Sequence, residues 1–171
     1  MTKVHSPQFA SSAEQHYSPS IDSDRSFRNR PLKPPTTIPQ ADQQFLALVN
    51  AYQATGGLAW IGDLEAMFML RSTGSARGLS DSIADRQVVH FEWQDQIWLP
   101  LFQFDLVRMQ THRALAPVLG RLNSIYSDWE IADWFSRINP WLKCFSPAQS
   151  LVANPAAVLD AASAEVFIAC G

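Results

Sequence analysis

The 171-residue chain carries 13 Lys and Arg against 16 Asp and Glu, a net charge of -3, and is 47% hydrophobic but only 17% charged. Tight binding to nucleic acid through phosphate neutralisation favours a strongly basic chain, which this is not, and no apolar run approaches the roughly 18 residues of a membrane span. Soluble proteins average about 25% charged residues, so much of this surface is neutral or apolar, which suggests a partner.

The first ten residues contain Lys3 but no apolar h-region, so no secretory signal is expected. Cys144 and Cys170 are too few for a disulfide framework, and neither lies in a CxxC or near a His. The expected address is therefore cytoplasmic, with free thiols, and no metal or cofactor. Six of the eleven prolines (Pro7, Pro19, Pro31, Pro34, Pro35, Pro39) fall in the first 40 residues, among serines and without a Trp. Such a segment buries too little apolar surface to offset its ordering entropy, so residues 1–41 read as a disordered tail. Its basic residues Arg25, Arg28, Arg30 and Lys33 admit two readings, a nucleic-acid-touching arm and, favoured over it, a solvated linker.

From residue 42 the pattern is helical. Phe45, Leu46, Leu48, Val49 and Tyr52 predict a helix over 42–55, stopped by Gly56-Gly57. Leu64, Met67, Phe68 and Leu70 predict a second over 63–71, and Leu79 and Ile83 a third over 76–86. The period then becomes two: Val89, Phe91 and Trp93 alternate with His90 and Glu92, Gln94-Asp95-Gln96 turns, and Ile97-Trp98-Leu99 returns. His90 falls on the exposed side of this hairpin. Pro100 lacks a donor, so the return strand is expected to lie at an edge or to bend there. Phe102 and Phe104 are expected on one face of the following strand, with Gln103 on the other.

The remaining helices are marked by their caps. Val118, Leu119, Leu122 and Ile125 predict a helix over 117–125, and Ser127-Asp-Trp-Glu130 has the form of a capping box for a helix reaching about 138. Asn139-Pro140 ends it. Ser146-Pro147 and Asn154-Pro155 predict helices over 147–153 and 155–169. The fold class is mainly α: a helical domain with one β-hairpin behind the tail, divided into a region over 42–105 and another over 106–171.

No H-E-x-x-H, G-x-S-x-G or Gly-rich phosphate loop is present, so an enzyme is the least favoured class. Cys144 reads as a small, semi-buried thiol. Trp129 and Trp134 lie five positions apart, about 140° around a helix. One is expected to face the core and the other a neighbouring element or a partner.

Three stretches then occur in order: Trp98-Leu-Pro-Leu-Phe-Gln-Phe-Asp105, Trp134-Phe-Ser-Arg-Ile-Asn-Pro-Trp-Leu142, and Ser146-Pro-Ala-Gln-Ser-Leu151 followed by Asn154-Pro-Ala-Ala-Val-Leu-Asp-Ala-Ala162. Over residues 88–171 this order resembles the toxin-binding domain of Xre/MbcA/ParS-type antitoxins. The resemblance implies a bacterial antitoxin that neutralises a RES-domain toxin, an NAD-consuming enzyme, by blocking its cleft with the last helices, while N-terminal helices bind promoter DNA. It also implies homo-oligomers. The partner-binding residues it points to are Asn139, Pro140, Trp141, Leu142, Pro147, Leu151, Val158, Leu159 and Ala162, with Phe167, Ile168 and Gly171 in the terminal segment placed nearest the toxin.

Pro140, Trp141 and Leu142 admit a second reading, as a helix-ending corner whose Trp fills the core. Two features depart from the family pattern. Lys143-Cys144-Phe145 stands where relatives commonly have small glycines. The N-terminal half lacks a clean helix-turn-helix signature: the helices over 63–71 and 76–86 with the hairpin suggest a degenerate, winged-helix-like unit, with Arg71, Arg77 and Arg86 as DNA contacts. Residues 46–107, however, hold three arginines against seven acidic residues, the wrong sign for DNA.

Overall fold

Residues 39–71 and 77–171 are described by the computed structural model, so the predicted tail lies outside them up to residue 38. They belong to one unit, Ile38–Gly171, and the architecture is mainly α with a small β part. Helix α1 spans Gln40–Tyr52 and buries Phe45, Leu48 and Tyr52, the three-and-four spacing of one helical face. After a 3₁₀ turn over Gln53–Thr55, Gly56 and Gly57 take left-handed φ values of 104° and 84°. The Gly57 N–H donates to the Tyr52 carbonyl at 2.8 Å, which closes the helix.

A short strand that the sequence did not reveal, β1 (Leu58–Trp60), precedes α2 (Ile61–Arg71) and α3 (Arg77–Ala84). Strands β2 (Phe91–Trp93) and β3 (Gln96–Pro100) form the expected hairpin, with Trp93 opposite Gln96. Gln94 and Asp95 both have positive φ, as a two-residue type I′ turn requires. Strand β1 pairs antiparallel with the free side of β3, Leu58 opposite Pro100, so β3 is the central strand rather than an edge. Pro100 is tolerated because it is the last residue of β3 and the chain bends there into a 3₁₀ turn, Leu101–Gln103.

That turn overturns the expected alternation around Gln103. Its side chain is fully buried. Gln103 Nε2 donates to the carbonyls of Val89 (2.8 Å) and Pro100 (2.9 Å), and Oε1 accepts the Val89 N–H at 2.7 Å. One amide thus satisfies both backbone groups of Val89, a residue just outside the ladder. His90 is likewise not on an exposed strand face. It precedes β2 and is half-buried, with Nδ1 3.1 Å from the Val88 carbonyl and Nε2 3.5 Å from Asp128.

A small hairpin follows, β4 (Phe104–Asp105) on β5 (Gln110–Thr111), and then α4 (Leu115–Leu122). Helix α5 (Asp128–Ser136) starts on the expected capping box: Ser127 Oγ accepts from the Glu130 N–H, and Glu130 Oε2 accepts from the Ser127 N–H at 2.8 Å. It ends two residues before 138. Helix α6 (Pro147–Ser150) is shorter than predicted, a single turn under a second box formed by Ser146 and Gln149. Asn154 caps α7, Pro155–Cys170.

The larger core draws on both sides of residue 105. Phe45, Leu48 and Tyr52 of α1 and Phe91 of β2 share it with Val118, Leu122, Phe135, Leu151 and Val158. Phe45 and Trp93 stack at 3.9 Å, and Phe102 lies 5.7 Å from Tyr52 and 5.0 Å from Phe135. Of the α5 tryptophans, Trp134 is buried, whereas Trp129 is half-buried against Phe91 at 4.6 Å with its N–H on the Glu92 carbonyl. This is the division their spacing predicted.

Tyr52 ties α1 to α5. It is fully buried, and its hydroxyl donates to the Ala132 carbonyl at 2.5 Å. Burial, and secondarily the Asp133 charge, push this hydroxyl well above its ordinary value of 10.0. Since the folded state resists ionisation more than the unfolded one, this contribution is complete below about pH 10 and is lost as pH rises beyond it. Tyr52→Phe is expected to cost about 1 kcal/mol at neutral pH. In urea unfolding between about pH 8 and 11 the variant is also expected to lose stability less steeply than the native chain.

Candidate functional site

Helix α7 departs from the usual amphipathic pattern. Only Asp160 and Glu165 of its 16 residues are charged, so no polar face opposes the buried one. A helix apolar all round is normally enclosed on every side. Here Val158, Ala161 and Ala162 are buried, with α4 the main helix packed against α7, whereas Phe167 and Ile168 stand 79% and 71% exposed. The Pro140–Leu142 turn also packs against α7.

The sequence around that turn explains its shape. Asn139 is buried. Its Oδ1 accepts the Trp141 N–H at 2.9 Å, while its own N–H donates to the Phe145 carbonyl at 3.0 Å. Pro140 occupies the first position of the 3₁₀ turn, where no donor is needed. Leu142 turns into the core and Trp141 turns out, 69% exposed. The alternative in which Trp141 fills the core does not hold.

Lys143 and Cys144, the residues that depart from the glycines of the family pattern, both adopt left-handed backbone, with φ of 54° and 65°. L-residues resist this conformation by about 1–2 kcal/mol. Lys143→Gly is therefore expected to raise stability by roughly 0.5–1 kcal/mol in chemical denaturation, without moving the exposed Trp. The Cys144 thiol is exposed rather than semi-buried, because the left-handed turn carries it outward.

The structure divides the twelve candidate partner residues. Pro140, Trp141, Phe167, Ile168 and Gly171 are exposed, and Leu159 is half-buried. Asn139, Leu142, Pro147, Leu151, Val158 and Ala162 are buried. Ile138, Phe145 and Val152 are further exposed apolar residues, outside the twelve candidates. Their signal was their position, as apolar side chains in the connections between helical elements.

Between α1, α5 and α7 lies an open groove of about 750 Å³, lined by Leu48, Tyr126, Trp129, Trp134, Ile138 and Pro140 and by the carboxylates of Glu130, Asp133 and Glu165. Glu165 accepts the Tyr126 O–H and the Trp134 N–H, both at 3.2 Å. Arg137 pairs with Asp133 at 2.6 Å. Burial, followed by the charge and hydrogen bond of Glu165, raises the Tyr126 hydroxyl from its ordinary value.

Of the three arginines considered for DNA, Arg71 and Arg77 stand at the ends of α2 and α3, and their side chains lie outside the described residues. Arg86 is not available for phosphate. Its guanidinium donates to Asp128 Oδ1 (2.8 Å) and to the carbonyls of Asn123 (3.2 Å) and Tyr126 (2.8 Å), fastening the end of the α3 segment to the α4–α5 connection. Among the described residues no group of three His, Cys, Asp or Glu is placed to hold a metal ion, and no helix is long and apolar enough to cross a membrane. In comparisons with protein-family models, curated proteins and solved structures, the chain has no match.

Proposed function

We propose that the chain is an antitoxin-like inhibitor that binds a RES-domain, NAD-consuming enzyme and covers its active site with the C-terminal helices, without catalysis of its own. The observation that carries this reading is the apolar end of α7, whose Phe167 and Ile168 are left open to solvent, together with the outward-turned Trp141. Exposed aromatic and aliphatic side chains on a rigid helix and turn are the anchors that protein interfaces use. The same exposed face supports self-association, and the proposed setting is the cytoplasm. Deleting residues 165–171 and co-expressing the native and truncated chains with a RES-domain, NAD-consuming enzyme tests it. Loss of protection is expected, and unchanged protection would refute occlusion by the C-terminal helices.

A second reading, a promoter-binding autorepressor, draws on one observation. The order α1, β1, α2, α3, β2, β3, with β1 added beside β3, is the topology of a winged-helix unit. Charge opposes it, since α3 carries Asp81 with Arg77 as its one basic residue, and the hairpin carries Glu92 and Asp95. No shift of a promoter fragment at low salt, with or without the protein partner, is the expected result.

A further inference from the structure

We propose that the groove between α1, α5 and α7 receives an arginine side chain of the protein partner. The inference rests on the protein-binding reading above, but its test contains no RES-domain enzyme, so either can fail while the other stands. The groove has the volume of a ligand site, and Ile138 and Pro140 connect it to the exposed turn. Its charges do not cancel: Glu130, Asp133 and Glu165 face it with Arg137 as the one cation, and that cation is held by Asp133.

The partners of the other two carboxylates are neutral. Glu165 accepts from a phenol and an indole, which orient it without neutralising it. Glu130 accepts both Ser127 donors on Oε2. A partly enclosed, apolar-walled cleft strengthens the attraction of such carboxylates for a cation. The half-buried Trp129, one of two tryptophans lining the groove, suits a planar guanidinium, which stacks as well as donates, better than a compact ammonium. Ala47 and Pro140, both exposed, offer apolar surface to the methylene stem.

The full chain, labelled for indole N–H resonances, is titrated with the capped tripeptide Leu-Arg-Leu, with its citrulline twin, which has the same shape without the charge, and with arginine amide alone. The arginine peptide is expected to shift the Trp129 and Trp134 signals. Its affinity should fall at least fivefold on replacing arginine by citrulline and by a similar factor in Glu165→Gln. Arg137→Gln, at an exposed position, frees Asp133 and should tighten binding. Equal binding of the citrulline peptide, no effect of Glu165→Gln in a folded variant, or no indole shift at all would overturn the proposal. Arginine amide binding as tightly as the peptide would also overturn it, by making the groove a small-molecule site.

Discussion

Replacing Phe167 and Ile168 together by serine is expected to weaken binding to the proposed RES-domain partner by about a hundredfold or more while leaving the fold intact. Anchors of this kind contribute on the order of 2 kcal/mol each when truncated, and each 1.4 kcal/mol is about tenfold in affinity. Stability should stay within roughly 0.5 kcal/mol of the native chain, because both side chains already face solvent. Calorimetric titration and thermal unfolding of the same preparations separate the two effects. A Val158→Ala variant gives the contrasting pattern: its side chain is fully buried, so it should lose stability first and binding only as a consequence. Equal affinity for the double serine variant would remove the end of α7 from the interface.

The largest effect on stability is expected at Gln103. Gln103→Met keeps the length and the apolar stem, but it leaves the Val89 N–H, the Val89 carbonyl and the Pro100 carbonyl without the partner they share. Each buried backbone group left unsatisfied costs about 1–3 kcal/mol, so the substitution should lower unfolding free energy by roughly 3–5 kcal/mol. That is a large share of the 5–15 kcal/mol or so typical of a domain. Denaturant unfolding monitored by the tryptophan emission of the Phe45, Trp93 and Trp98 cluster measures it directly. A loss below about 1 kcal/mol would show that water replaces the amide at this site.

These positions also show what the sequence could and could not reveal. The helix starts at Ser127, Ser146 and Asn154 were legible because a cap and its partner lie within three residues, so the chemistry is local. The hairpin was legible from its alternation. Strand β1 was not, since three residues set no period and its partner β3 lies some forty residues on. Gln103 was misplaced for the same reason: the amide's partner Val89 is fourteen residues away, and a two-residue period gives no hint of a 3₁₀ turn. Arg86 looked like a free cation until Asp128, Asn123 and Tyr126 were brought to it by folding.

The candidate site was legible as a segment but not as a surface. A helix apolar on all faces carries no phase, so nothing in residues 155–170 distinguishes buried Val158 and Ala162 from open Phe167 and Ile168. The Asn139-Pro140 pair announced the corner, but the outward turn of Trp141 depends on the Asn139 cap together with the left-handed pair Lys143 and Cys144. The groove carboxylates come from α5 and α7, some thirty residues apart, and no spacing links them.

The proposed inhibition by a protein surface is tested most directly by following NAD consumption by a purified RES-domain enzyme as the native chain is added. The account predicts that activity falls to background near stoichiometric addition and that the Phe167→Ser, Ile168→Ser double variant restores it. Undiminished NAD consumption in the presence of excess folded native chain would contradict it.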